Sequence, residues 1–270
     1  MGTVGPLGKD TTSLGDALAN GQSGVRPLEN LPTDSLPVKF GGEATDFSGE
    51  IDDFGPLEKA QKRAIKRNLK VMCREIKMGV AAAQLSLHDA GLAADQLNSE
   101  RTGVLYGSDH ILAEPEEFKD GYLICHNEQQ KFEYDRWADE GFGKIAPLWL
   151  LKYLPNMPAS HIAIYNDLQG PNNSLTVREA SANLAVAEAY AIIRRGHAEM
   201  MIAGATGTRL HSQRTMHIVL NEEVADGEND PTTVSRPFDQ DRSIHSRGGF
   251  RELWRRMRGG RGCGGRLDPR

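Results

Sequence analysis

The chain has 270 residues, of which 26% are charged and 39% apolar, with a formal charge of −5 at neutral pH. That balance excludes a disordered or membrane-embedded polypeptide, since no run approaches the roughly 20 apolar residues of a spanning helix. The mean charge hides an asymmetry: from Ile244 onward Arg and Gly dominate, while the rest of the chain is more acidic.

Residues 10–20 carry a short helical pattern, with Ser13 placed to cap it and Leu14, Ala17 and Leu18 forming one apolar stripe. Pro27, Pro32 and Pro37 then break the chain into loops. Across 57–92, Ile65, Leu69, Met72, Ile76, Val80, Ala83 and Leu87 recur at three- and four-residue spacing, which predicts one long amphipathic helix with Gly79 as its weak point. The Lys and Arg residues of 59–77 fall mostly on its other faces and read as a solvated surface. Residues 101–108 predict a short buried strand ending in a glycine turn. The stretch 109–143 is acidic, rich in aromatic residues and without a clear period. A helix over 145–153 and a second strand over 158–165 follow. Next come a turn, a helix closing at Gly196, and a buried strand over 200–205. Strands alternating with helices predict an α/β architecture.

The run Leu168-Gln169-Gly170-Pro171-Asn172-Asn173-Ser174-Leu175-Thr176-Val177-Arg178-Glu179-Ala180-Ser181 carries the chain's strongest signal. Together with Gly196, Ala198-Glu199, Met201 and Ala203-Gly204, it resembles the nucleophile region of the β-ketoacyl-acyl-carrier-protein synthases, with no gap between the matched positions. Ser235-Arg236-Pro237-Phe238-Asp239-Gln240-Asp241-Arg242 resembles that family's R-P-F-D-x-x-R signature, and Ala19-Asn20-Gly21-Gln22-Ser23-Gly24 its L-x-x-G-x-S-G loop. The likeness spans most of residues 1–243. It implies a thiolase-like fold, here the N-terminal half of a layered αβαβα architecture, with 109–143 as a loop and short helices near a dimer contact. It also implies acyl transfer and decarboxylative condensation with malonyl-acyl-carrier protein in fatty-acid or polyketide assembly. The implied partners are an acyl carrier protein and either a second copy or a cysteine-bearing synthase, the latter meeting a face around 158–210. No cofactor and no metal are implied.

In that register Glu179 stands where the family has its cysteine. The family's thiolate is favoured by the N-terminus of a buried helix, where the dipole and unpaired amides lower a thiol's pKa. A carboxylate is equally welcome there, and an ionised cap on the helix is the plain reading of it, but it is a poor acyl acceptor. The resemblance further implies two histidines and a lysine from a C-terminal half, which stabilise the enolate and the oxyanion. None of the eight histidines of this chain maps onto those roles. The chain is therefore expected not to condense. Relatives with a non-cysteine residue at this position act as chain-length partners or malonyl decarboxylases.

Both ends depart from the family pattern. The family's first strand precedes the motif that Met1-Gly2-Thr3-Val4 continues, so a strand in the middle of the sheet is expected to be missing, with an apolar face left uncovered and the free chain prone to aggregate. After Arg242 the Arg/Gly-rich tail, residues 244–270, reads as a disordered or frame-shifted extension, or as a selected basic tail able to touch nucleic acid. Residues 1–5 lack the basic and apolar regions of a secretory signal, and Pro6 stands where a myristoylation motif wants Ser or Thr, so the cytoplasm is expected. The three cysteines, Cys73, Cys125 and Cys263, form no CxxC pair and read as reduced thiols. Cys125-His126 reads as a polar loop, Gly204-Ala205-Thr206-Gly207 as a turn lacking a dinucleotide fingerprint, and Asp239 with Arg242 as a loop anchor.

Overall fold

Every residue of β3 (Thr102–Ser108) is buried. In a computed structural model of the chain, which describes residues 1–31, 33–36, 38–93, 96–222, 224 and 230–234, β3 pairs in parallel with β4 (Asn172–Thr176) on one side and β5 (Met200–Thr206) on the other. Successive strand residues face opposite ways, and here the two faces meet different helices. Val104 and Tyr106 enter a core with Ile76, Val80 and Leu87 of α3 (Arg74–Asp89) and Ala159 and Ile162 of α5 (Met157–Tyr165). Leu105 joins Ala185, Ala189 and Ile192 of α6 (Ser181–Arg194) on the other face. Helices on both faces of a parallel sheet are the α/β layering that the alternation predicted.

The three strands pair with no gap between them, in the order β4-β3-β5. β3 thus has a hydrogen-bonded neighbour on each side. On the α6 side β3 presents Gly103 and Gly107, and a Cβ on Gly107 would lie 2.7 Å from the backbone of Ser181. Gly107 is thus not a turn glycine but the point where the first turn of α6 approaches the strand. β5 is less buried than its apolar sequence predicts: Ile202 is covered, while Ala203 is exposed.

Four more sequence expectations are corrected. The long helix over 57–92 divides into α2 (Lys59–Asn68), a 3-10 turn over Leu69–Val71, and α3, because Met72 and Cys73 are extended. The apolar spacing runs through this break because Ile65, Met72 and Ile76 all still reach the same core. Gly79 is no weak point: the Tyr106 hydroxyl donates to its carbonyl at 2.8 Å, and Thr206 packs where a side chain would stand. Residues 158–165 are the helix α5 rather than a strand. Its burial on most sides, including Pro158, Ala159, Ile162, Ala163 and Tyr165, hides the helical period, and a short apolar run is then ambiguous. The helix expected over 145–153 is a single 3-10 turn, Trp149–Lys152.

At the N-terminal end, α1 (Thr11–Ala19) is capped by Asp10, whose carboxylate accepts from the Ser13 amide at 2.7 Å; Ser13 is not the cap, and of the expected stripe only Ala17 is buried. The Gly21 loop ends α1 with Gly21 at φ +61° and a Gln22 amide bond to the Ala17 carbonyl, a Schellman closure. Residues 109–143 hold α4 (Glu116–Ile124) and short irregular turns, in keeping with their lack of period. The residues above lie in one unit, Met1–Gly24 with Gly42–His211. A second unit, Val25–Gly41 with Ser212–Arg270, contains β1 (Val25–Pro27) paired with β2 (Phe40–Gly42), α7 (Ser212–Asn221) and the short α8 (Pro231–Val234) among its described residues. The R-P-F-D-x-x-R run with Asp239 and Arg242, Cys263 and the tail 244–270 lie outside the described residues.

Candidate active site

Ser108 pairs with Thr176 on one flank and with Thr206 on the other, so the three parallel strands end together and deliver their following segments to one edge of the sheet. Residues at the carboxyl ends of parallel strands are where α/β folds assemble their sites. Glu179 arrives there in a 3-10 turn, Arg178–Ala180, between β4 and α6. Two features hold the turn. Arg178 adopts φ +52°, a left-handed conformation rare for a side-chain-bearing residue. Ser181, 2% exposed, accepts from the Val177 amide at 2.8 Å and donates to the Ser108 carbonyl at 2.9 Å, which ties the start of α6 to the end of β3.

The Glu179 carboxylate accepts from the Arg209 guanidinium, on the segment that follows β5. Its own backbone amide and then Arg209 hold its pKa below the ordinary glutamate value, so it is an anion at neutral pH. Both partners are at least half exposed. The hydrogen bond to Arg209 replaces the helix-capping bond that a plain reading of the sequence expects. The N-cap position of α6, Ala180, supplies no side-chain oxygen, and the first amide of the helix, that of Ser181, donates instead to the Arg178 carbonyl.

A second polar contact, on the segments that follow β3 and β5, was not visible in the sequence. His211 Nε2 lies 3.3 Å from a Glu114 carboxylate oxygen, and His211 is 5% exposed. Burial raises the Glu114 pKa while His211 opposes the rise. Nothing local in the sequence marks Arg209, His211 or Glu114, because they stand on loops that only strand pairing brings together.

The other candidates resolve differently. Gly204, Ala205 and Thr206 belong to β5 rather than to a turn, and a Cβ on Gly204 would lie 2.8 Å from the Tyr106 ring. Cys125 is buried, and the His126 ring packs edge-on against Tyr122 with centroids 4.6 Å apart, next to Phe132. This is an aromatic cluster, not a polar loop. Cys73 is a free thiol whose pKa burial pushes up, so it does not offer a thiolate. Among the described residues no three His, Cys, Asp or Glu side chains gather to hold a metal ion, and no helix is long and apolar enough to cross a membrane.

Residues 1–250 match the beta-ketoacyl synthase N-terminal domain. The chain belongs to the β-ketoacyl synthase family. The 3-oxoacyl-[acyl-carrier-protein] synthase 2 of Synechocystis sp. is 26% identical over 242 residues, which cover 90% of this chain and 52% of that protein. The chain thus spans about half the length of the curated relatives it matches. Among solved structures, a beta-ketoacyl synthase from Burkholderia phymatum STM815 superposes with a TM-score of 0.65 at 21% identity, over 90% of this chain and 53% of that one. The ishigamide ketosynthase/chain length factor gives 0.63 at 19% identity with the same coverage. These superpositions establish the thiolase-like ketosynthase fold, α/β with a parallel sheet between helices.

Proposed function

We propose that this chain is a synthase-like protein of fatty-acid or polyketide assembly in which Glu179 occupies the nucleophile position, and that it does not condense. The observation that carries the reading is the ionised Glu179 carboxylate, paired with Arg209, in the turn that leads from β4 into α6. Acyl transfer to it would break a thioester C–S bond, form an anhydride C–O bond and release a thiolate. A carboxylate is the better leaving group by about 4 pKa units, so the anhydride returns its acyl group to the thiol. The helix tip that activates a thiolate makes the carboxylate stable instead. The partner chemistry follows the relatives' printed substrate, an acyl carrier protein.

Incubation of the chain with octanoyl- and malonyl-acyl-carrier protein, followed by mass spectrometry of the products, tests this. No β-ketoacyl product above the enzyme-free control is expected, and a product formed in proportion to the chain would refute the reading.

A second reading treats the chain as a non-catalytic partner of a cysteine-bearing synthase. It is supported by the fold shared with a ketosynthase/chain length factor and by α6, which exposes Val186 at 58% and Tyr190 at 62% beside its buried face. Co-expression with a cysteine-bearing synthase is expected to yield a complex that survives size exclusion, and two separately eluting proteins would count against it.

A further inference from the structure

The two edges of the parallel sheet are finished differently. At β4 the Asn173 side chain accepts from the Ser174 amide at 2.8 Å, and Asn172, Asn173 and Thr176 face solvent. Edge strands are ordinarily shielded in such ways, by polar or charged side chains, proline or a bulge. β5 has none of these. Its sequence, Met200-Met201-Ile202-Ala203-Gly204-Ala205-Thr206, holds no charge and no proline, and it pairs with β3 along its whole length without a bulge. Backbone groups of a parallel strand point alternately to its two sides, so half of those of β5 face away from β3. Among the described residues, no backbone N–H or C=O of Met200–Thr206 bonds to anything but β3.

A row of backbone donors and acceptors at strand spacing is matched by another extended chain. The side chains decide which chain that is. Turned antiparallel about Ala203, β5 meets a second copy of itself with Ala203 opposite Ala203, Ile202 opposite Gly204, Met201 opposite Ala205, and Met200 opposite Thr206. Each large side chain then faces a small one, the complementarity that packed layers need, and no like charges meet. Ala203 and Ala205 are exposed and lie in register with Leu105 and Gly107, on the α6 side of the sheet, which leaves room there for Met201 of the other copy. A parallel copy in register would instead set Met against Met and Ile against Ile, and would lack the twofold axis that closes a dimer.

We propose that the open edge of β5 joins two copies of this chain, as an antiparallel β5–β5 pair centred on Ala203 that merges their two parallel sheets into one. The pairing is independent of the Glu179 chemistry, and its failure would leave the reading of Glu179 intact.

Disulfide trapping in the full chain tests the register. Residues opposite each other in an antiparallel pair have Cα atoms about 4.5–5.5 Å apart, within disulfide reach. At about 3.4 Å per residue, the two Ala205 positions stand about 14 Å apart, as do the two Met201 positions. In a chain carrying Cys263→Ser, Ala203→Cys is expected to give a disulfide-linked dimer under mild copper-phenanthroline oxidation. Ala205→Cys, exposed like Ala203, should not link to itself but should link to Met201→Cys when the two chains are mixed. Absence of the link at 203, absence of the mixed link, or self-linking of Ala205→Cys as fast as that of Ala203→Cys overturns the proposal. Sedimentation equilibrium supplies a second measure, in a chain whose exposed α6 face carries Val186→Lys and Tyr190→Lys so that association through that helix is suppressed. A dimer is expected to remain, and adding Ala203→Lys, which opposes two ammonium groups across the axis, should weaken it about fivefold. A monomer before that change, or an unaltered dissociation constant after it, also overturns the proposal.

Discussion

Glu179 and Arg209 meet in solvent, and an exposed ion pair contributes little to stability, about 0–1 kcal/mol. Glu179→Gln is therefore expected to change unfolding free energy by less than about 1 kcal/mol in urea titrations, and a larger loss would make the pair structural rather than a relic of the site. Glu179→Cys probes the electrostatics directly. With the Arg178 and Arg209 charges beside it at the start of α6, the new thiol should ionise below about 8.5, the value for a free cysteine. The pH dependence of its alkylation by iodoacetamide measures this; a midpoint at or above that value would mean that the helix tip does not favour an anion. His161 offers a separate test. It is 4% exposed, its Nδ1 lies 3.1 Å from the Tyr165 hydroxyl, and burial lowers its pKa to about 4 from the ordinary 6.5. A depressed histidine favours the neutral fold, so its contribution is complete above about 6.5 and is lost as pH falls through 4, a difference on the order of 2–3 kcal/mol. His161→Phe should flatten the stability profile between about pH 7 and pH 4, and an unchanged slope would place the acid sensitivity elsewhere.

At the scale of elements, the seat of the site is the contact of β3 with α6. Gly107→Ala would set a methyl group 2.7 Å from the Ser181 backbone, where neither partner can move without unpairing β3 or lifting α6. Overpacking of this kind costs about 1–3 kcal/mol, and the change should lower the thermal midpoint while Gly143→Ala, which meets open space, should not. The two strands that were legible in the sequence, β3 and β5, are apolar runs with glycine punctuation. α6 was legible because its end is marked by Gly196, at φ +74°. α5 was not, since a helix covered on most sides has no polar face to report its period. The break between α2 and α3 was equally silent: it uses no Gly or Pro, only two extended residues, Met72 and Cys73.

At the scale of the chain, Glu179 could be proposed from the sequence because the flanking motifs fix a register, whereas its contact with Arg209 and that of Glu114 with His211 could not, being assembled by parallel pairing of segments far apart in sequence. The same organisation leaves α6 with an apolar face beyond its packed one: Val186, Tyr190 and Ile193 are 58%, 62% and 42% exposed. Contiguous apolar surface of this kind drives association. The chain alone is expected to self-associate in size exclusion, and Val186→Lys with Tyr190→Lys to shift it toward smaller species; a wild-type chain that elutes as a monomer and melts cooperatively would contradict this. The central claim, that no group at the tip of α6 holds an acyl unit, is tested most directly by intact-mass spectrometry with peptide mapping after exposure to octanoyl-acyl-carrier protein. The wild-type chain should keep its mass while Glu179→Cys gains one octanoyl group on the peptide carrying residue 179. An octanoyl group on the wild-type chain, mapped to Glu179, would contradict the claim.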